Sequence, residues 1–453
     1  MSAVVALPPP LRADRAVTGR TRTGTALTML TVYVVLLCGV PSNVTISPLG
    51  GLGRPALIWG LLLLLWWVIA RLQARSVDVS RATQPARWAY LALLVMVLVS
   101  FAAAMLRGQP DDQVTVAIAA VIRLLSWGGV ALVLMDGIRT LCDADRLLAW
   151  IVWIGAGLAV LGIAQFATGQ SLLEWLTQVP GISVEASGAG ARGAFLRPSG
   201  TATHALEYAA VICSILPLAI TLGVTRAHAG RGRLPWTWIP AALIAIAALI
   251  SVSRSAIIGV VVAVAASLPA LPVAYRWLVA AGGVIAAIGI VAVVPGMFGT
   301  VVDLFAGSDK DPSTLSRTNA LAQVPEFLAA SPVIGLGFGT FLPRYYIFDN
   351  QWVLILLELG LLGLLAFVVF AFTAMWSAVS TIRRSPYSDV ASLGRGIVAA
   401  LLTSLVLFAF FDGLSFPMSA GMFFVLIGLA GAIRTIGAAD ANIRPPQREE
   451  QDA

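Results

Sequence analysis

Arg197-Pro198-Ser199-Gly200-Thr201 stands immediately before an apolar run opened by His204, Glu207 and Tyr208. A helix starting there points its first N–H groups and the positive end of its dipole back along the chain, with Ser199 or Thr201 as N-cap and Arg197 beside them. The segment is either an anion site or an arginine held at the level of lipid headgroups. His204, Glu207 and Tyr208 lie at i, i+3 and i+4 and share one helix face, so His204 is either a hydrogen-bonded packing residue or a proton-transfer group. Arg254 lies in Ser251-Val252-Ser253-Arg254-Ser255 with apolar sequence on both sides. An arginine in hydrocarbon costs roughly 2.5–3.5 kcal/mol, so it must face an anion, water or the membrane surface. Arg123, inside another apolar run, poses the same question: it either pairs with an acid such as Glu358 or Asp412, the expected answer, or sits near a helix end.

A second polar set lies further on: Ser316-Arg317-Thr318-Asn319, then Ser331-Pro332-Val333-Ile334-Gly335-Leu336-Gly337-Phe338-Gly339-Thr340-Phe341, then Asp349-Asn350-Gln351-Trp352. No strand precedes the glycines, so a nucleotide-binding reading fails and close backbone packing or a tight turn is expected. Glu358 follows about two turns into the next apolar run, and an acid at that depth is a functional candidate by default. The acids Asp111 and Asp112 are adjacent rather than spaced as a metal pair, and His204 and His228 are separated by a whole apolar run, which disfavours a metal-dependent mechanism. No Walker sequence occurs, so ATP is not expected to drive the reaction. No cofactor follows from the residues.

The elements that must position these groups are membrane spans. Of 453 residues, 59% are hydrophobic and 11% charged, and the mean hydropathy is +0.91. Soluble domains carry about 45–50% apolar and 25% charged residues, so soluble enzymes, nucleic-acid modules and disordered scaffolds are excluded. The net charge of +7 is loop arginine on a polytopic chain rather than a nucleic-acid footprint. Cys38, Cys142 and Cys213 lack the spacing of a disulfide framework or metal cluster.

Apolar runs fall at about 26–41, 55–72, 88–106, 114–135, 147–167, 202–224, 237–252, 255–272, 277–295, 350–374, 396–411 and 417–436. The sequence therefore predicts an all-α polytopic membrane protein with about twelve transmembrane helices. Residues 1–25 form a cytoplasmic N-terminal segment, 26–436 a single transmembrane domain with external loops 168–201 and 296–349, and 437–453 a cytoplasmic tail. Arginine bookkeeping sets that orientation. Arg71, Arg75, Arg81, Arg87, Arg139, Arg146, Arg226, Arg231, Arg233, Arg276, Arg383, Arg384 and Arg395 fall in alternate, inside loops, whereas Arg54, Arg107, Arg192, Arg197, Arg254, Arg317 and Arg344 fall on the other side.

In this order the parts become specific: Arg-Pro-Ser-Gly-Thr with His204, then Ser-x-Ser-Arg, then a long loop from Arg317 through Pro332-x-x-Gly-x-Gly to Asp349-Asn350, then Leu357-Glu358-Leu359-Gly360-Leu361-Leu362-Gly363. Over about residues 190–375 the chain resembles the O-antigen ligase and O-antigen polymerase superfamily. The resemblance implies a C-type glycosyltransferase-like membrane core. It also implies transfer of a glycan from a polyprenyl-diphosphate carrier to an acceptor on the external face, without metal. Arginines matching Arg197, Arg254 and Arg317 would hold the diphosphate. Many ligases carry His-Asn where this chain has Asp349-Asn350, and Pro-Asn where Ala-Leu follows His204.

Such a donor is already activated, so the protein need only neutralise the leaving diphosphate and deprotonate an acceptor hydroxyl. Arginines do the first, and a carboxylate or imidazole does the second. The candidates for the base are Asp349, His204 and Glu358, and attack opposite the leaving group inverts the anomeric centre. The expected partners are a polyprenyl-diphosphate-linked saccharide, a glycan, glycolipid or wall acceptor, and membrane lipid, with no nucleic acid. The expected location is a bacterial cytoplasmic (inner) membrane. The competing readings are a protein O-oligosaccharyltransferase and a lipid-linked oligosaccharide flippase or transporter.

Overall fold

The computed structural model describes residues 23–73, 83–185, 191–192, 195–228, 234–251, 253–293, 312–385 and 388–443. The N-terminal segment to residue 22, residues 296–311 of the expected long loop, the side chain of Arg317 and the tail from residue 444 lie outside the described residues.

In hydrocarbon every backbone N–H and C=O needs an internal partner, and long runs of Leu, Ala, Val and Ile meet that demand as helices. The helices are α1 (Thr23–Gly39), α2 (Pro55–Gln73), α3 (Pro85–Leu106), α4 (Asp111–Gly137), α5 (Leu141–Thr168), α6 (Ala205–His228), α7 (Leu234–Leu249), α8 (Arg254–Ser267), α9 (Val273–Val293), α10 (Pro312–Ala329), α11 (Gln351–Arg384), α12 (Ser388–Leu407) and α13 (Pro417–Ile443). Each expected apolar run falls on a helix, and α10 is an additional helix within the segment expected as a loop. Among the described residues, 8 helices are long and apolar enough to cross a membrane, and three shorter apolar helices accompany them. The protein is an all-α polytopic membrane protein.

Helices α6 and α13 are almost wholly buried and form the centre of the bundle, whereas α2 and α3 present Leu62, Leu65, Val95 and Leu98 outward. Small residues let helices approach closely: Gly60 of α2 meets Ser126 of α4, and Gly428 of α13 meets Ala131 and Leu134 of α4. Helices α7 and α8 are separated by a turn whose Ser251 and Ser253 are buried, so the Ser-x-Ser-Arg segment lies within the bundle.

The two ends of the bundle differ. At one end Arg71 and Arg87 both pair with Asp136, Arg226 lies 3.7 Å from Asp145, and Arg434 bonds Thr83. At the other end the loop of β1 (Val44–Ile46) pairs antiparallel with β2 (Ile182–Val184), and Arg54 pairs with Glu185 at 2.6 Å. A short hairpin of β3 (Ala191–Arg192) and β4 (Phe195–Leu196) leads into Arg197 at that same end.

One element departs from the sequence reading. The run expected as a simple span over 350–374 is helix α11, which extends to Arg384 and is interrupted at Gly360, where φ is 67° and ψ −169°.

Candidate active site

The interruption at Gly360 is a splice between two glycine motifs. In an unbroken helix the carbonyls of Leu357 and Glu358 would accept from the N–H groups of Leu361 and Leu362. Both pairs are open here, and all four groups are taken by the loop of Pro332-x-x-Gly-x-Gly. Leu336 N–H donates to Leu357 O and Gly337 N–H to Glu358 O, each at 2.9 Å, while Leu361 N–H donates to Pro332 O at 2.9 Å and Leu362 N–H to Val333 O at 3.2 Å. A Cβ on Gly335 would overlap the carbonyl of Glu358, and one on Gly360 would overlap that of Val333. Non-helical backbone at this depth is tolerated only where it is buried in protein or lines a cavity, and here it does both. Arg107 fastens the loop from α3 through Gly335 O and Ser331 Oγ, each at 2.9 Å, and Ser100 Oγ donates to Glu358 O at 2.8 Å.

Glu358 thus sits at the last turn before the break, buried, with the backbone N–H groups of Gly339 and Phe341 directed at its carboxylate. Its side chain lines a cavity of about 480 Å³ together with Arg123, His204, Asp349 and Asp412. Phe338, Phe341, Phe348 and Phe416 supply aromatic wall. That volume and that mixture of apolar wall with a few convergent polar groups suit a small-molecule or sugar site.

Asp349 is placed by its neighbour. Asn350 is the N-cap of α11, its Oδ1 accepting from Trp352 N–H at 3.0 Å and Val353 N–H at 3.3 Å. Asp349, one residue earlier, takes the left-handed conformation with φ 48°, an arrangement that Asp and Asn adopt more readily than most residues.

His204 departs from its expected surroundings. Four N–H groups at and just before the start of α6 already have internal partners, and neither Ser199 nor Thr201 caps the helix. Ser199 N–H and Gly200 N–H donate to Gln165 Oε1 at 3.2 and 2.7 Å, Thr203 N–H donates to Glu207 Oε2 at 2.8 Å, and Leu206 N–H donates to His204 Nδ1 at 3.1 Å. Glu207 also accepts from Met418 N–H at 2.6 Å and Ser419 N–H at 3.3 Å, so one buried carboxylate caps both α6 and α13. Glu207 is therefore a structural residue. Because Nδ1 of His204 accepts a backbone bond, the ring carries its proton on Nε2 and presents a donor. Burial, followed by the Arg197 charge, lowers the His204 pKa, and Asp349 opposes them only in part, which keeps the ring neutral.

The sequence points to Asp412 only as a partner for Arg123. It lies in the turn between α12 and α13, where burial pushes its carboxyl up to about 6, helped by the charge of Asp349 and opposed by its own backbone and Ser415. The signal for it in sequence is an acid enclosed by Phe408, Phe410, Phe411 and Phe416. Folded Asp412 keeps a proton to about 6, whereas in the unfolded chain the group titrates near its ordinary value of 3.8. Stability is therefore fully present below the ordinary value and falls as pH rises through the folded one. Asp412→Asn is expected to melt higher than wild type at neutral pH and to lose that advantage below the ordinary aspartate pKa. Thermal unfolding in detergent across that pH range checks it, and an unchanged or lower melting temperature at neutral pH contradicts it.

Of the expected site residues, His204, Asp349 and Glu358 meet in one cavity, and Arg197 lies close enough to act electrostatically on His204. Arg254 opens α8 at the buried serine turn and is not part of the cavity wall. Arg317 lies on α10, and its side chain is outside those described. The expected pairing of Arg123 with Glu358 or Asp412 is corrected. Its Nε donates to Ala119 O of its own helix at 3.2 Å, it forms no ion pair among the described residues, and Glu358 acts on it only across the cavity. Among the described residues, no three His, Cys, Asp or Glu side chains are grouped to hold a metal ion.

Fold and site together define a polytopic membrane protein with a polar cavity built over a broken helix. A family model described as O-antigen ligase matches residues 239–368, from α7 through the spliced segment of α11, and supports a likeness of that part of the chain to the O-antigen ligase superfamily. The match indicates a membrane enzyme of the O-antigen ligase type. No curated protein matches the chain.

Proposed function

We propose that the protein is an inner-membrane glycan ligase or polymerase. It transfers a saccharide from a polyprenyl-diphosphate carrier to a glycan or glycolipid acceptor on the external face, within a C-type glycosyltransferase-like core of about twelve spans. The observation that carries this reading is the convergence of Asp349, His204, Glu358 and Arg123 on one cavity beside the spliced helix.

In the proposed step the acceptor hydroxyl oxygen attacks the anomeric carbon from the face opposite the diphosphate. The bond from that carbon to the diphosphate oxygen breaks with its electron pair, and the hydroxyl proton passes to Asp349. Arg197, Arg254 and Arg317 neutralise the polyprenyl diphosphate as it leaves, so no metal is required for that purpose. His204, a neutral donor through Nε2, orients the donor or acceptor oxygen rather than removing a proton. Glu358, held by two backbone N–H groups, fixes the cavity wall and hydrogen-bonds sugar hydroxyls.

The test uses full-length protein in vesicles supplied with a polyprenyl-diphosphate saccharide pool and a chelator. Wild type is expected to make a new glycosidic bond, and Arg254→Ala and Arg317→Ala to lower turnover by about 10²–10³-fold each. Product length separates polymerase from ligase. Intact passage of the lipid-linked donor across the bilayer, with no bond made, replaces this reading by the flippase one. Modification of Ser or Thr on a protein acceptor alone replaces it by protein O-glycosylation.

A further inference from the structure

Arg123 has a second face. Besides the large cavity it lines a smaller one of about 30 Å³, whose wall includes Arg54, Ser42, Tyr33, Trp127 and Pro417. A space of that size takes a few water-sized atoms, which admits a single phosphate or carboxylate group and excludes a sugar ring. Two guanidinium groups therefore face one small cavity and act on each other as like charges. Glu185 contacts only one of them, pairing with Arg54 at 2.6 Å while Arg54 Nε also donates to Ser42 O at 2.9 Å. Arg123 sits in the middle of a span and forms no ion pair among the described residues, with Glu358 and Glu185 acting on it only from a distance. An unpaired cation at that depth, beside a second cation and an open space, is an electrostatic deficit that an anion fills.

The two cavities meet at Arg123. A charged group seated in the small one leaves the molecule to which it is attached in the large one, beside Asp349. The small cavity lies against Arg54 and the loop that carries β1, and not against Arg197 or Arg254.

We propose that the cleft between Arg54 and Arg123 is an anion subsite that holds a phosphate or carboxylate group carried by the acceptor, so that the preferred acceptor is an acidic glycan or phosphorylated saccharide. This rests on the transferase reading for the word acceptor, but the anion subsite itself does not.

The test separates the two. Ala56, in the wall of the small cavity, is replaced by cysteine in a Cys142→Ser background, in which the remaining cysteines are buried, and is labelled with a trifluoromethyl group. The full-length protein is placed in discs of neutral lipid and its fluorine resonance is followed during titration. Inorganic phosphate is expected to give a saturable shift, and glucose 6-phosphate to bind about tenfold or more tightly than glucose. Arg123→Gln is expected to weaken both anions by about tenfold or more, whereas Arg123→Lys keeps a measurable shift. Correct folding of each variant is read from a cooperative thermal transition without ligand that is no lower than that of wild type. No saturable shift with phosphate, or an equal shift in Arg123→Gln, overturns the subsite whatever the transfer assay gives. A farnesyl diphosphate shift that is Arg123-dependent and tighter than that of glucose 6-phosphate assigns the cleft to the donor and overturns the acceptor assignment.

Discussion

Asp349→Asn leaves the protein folded and lowers glycan transfer by about 10²–10⁴-fold, the usual contribution of a positioned general base. Asparagine is the informative replacement because it accepts the left-handed backbone at φ 48° that most side chains resist, so the loss reports the carboxylate rather than the turn. The Asn350 cap on α11 is untouched by the change. Asp349→His, which restores the His-Asn pair common in the resembling ligases, is expected to recover much of the lost rate, because imidazole is also a base and also tolerates that conformation. Initial rates of transfer with matched protein amounts and melting temperatures check both. Full activity in Asp349→Asn removes Asp349 from the mechanism.

Gly335→Val abolishes transfer and lowers the melting temperature by several degrees. Two costs combine at this position. Its φ of 75° is strained for a β-branched residue, at about 1–3 kcal/mol, and the new Cβ would overlap the carbonyl of Glu358. Relief requires the loop to lift, which opens the bonds from Leu336 and Gly337 to Leu357 and Glu358 and leaves helix carbonyls without partners inside the membrane. Glu358 then loses its position on the cavity. Gly157→Ala in α5 is the control, since a Cβ there meets nothing within 4 Å. It is expected to keep both activity and stability. A Gly335→Val protein with wild-type melting and wild-type transfer contradicts the splice as the device that sets Glu358.

The helices were legible in the sequence because a bilayer imposes one solution on long apolar runs. His204, Asp349 and Glu358 were legible as polar groups at the margins of, or within, apolar runs, where such groups need a reason. What sequence did not reveal was convergence. Arg123 comes from α4, Asp412 from the turn after α12, and only the packing of α4, α11 and α13 brings them to the same cavity.

The broken helix was hidden for a related reason. Gly360 inside an apolar run reads as a tolerated glycine until the loop from Pro332 to Gly337 is seen to take over its hydrogen bonds. At the start of α6 the N–H groups of Gly200, Thr203 and Leu206 have internal partners that the sequence did not announce, Gln165 from α5, Glu207 one turn ahead and His204 itself. A helix N-terminus in sequence is a set of donors, and what satisfies them is decided by tertiary structure.

The measurement that bears most directly on the central claim is stoichiometry in vesicles containing the full-length protein and a polyprenyl-diphosphate saccharide. New glycosidic bonds and free polyprenyl diphosphate would be counted in the same samples, for wild type and Asp349→Asn. Wild type is expected to release one carrier per bond made, with both products falling together in Asp349→Asn. Carrier-linked saccharide appearing intact on the opposite face, with neither product formed, would contradict it.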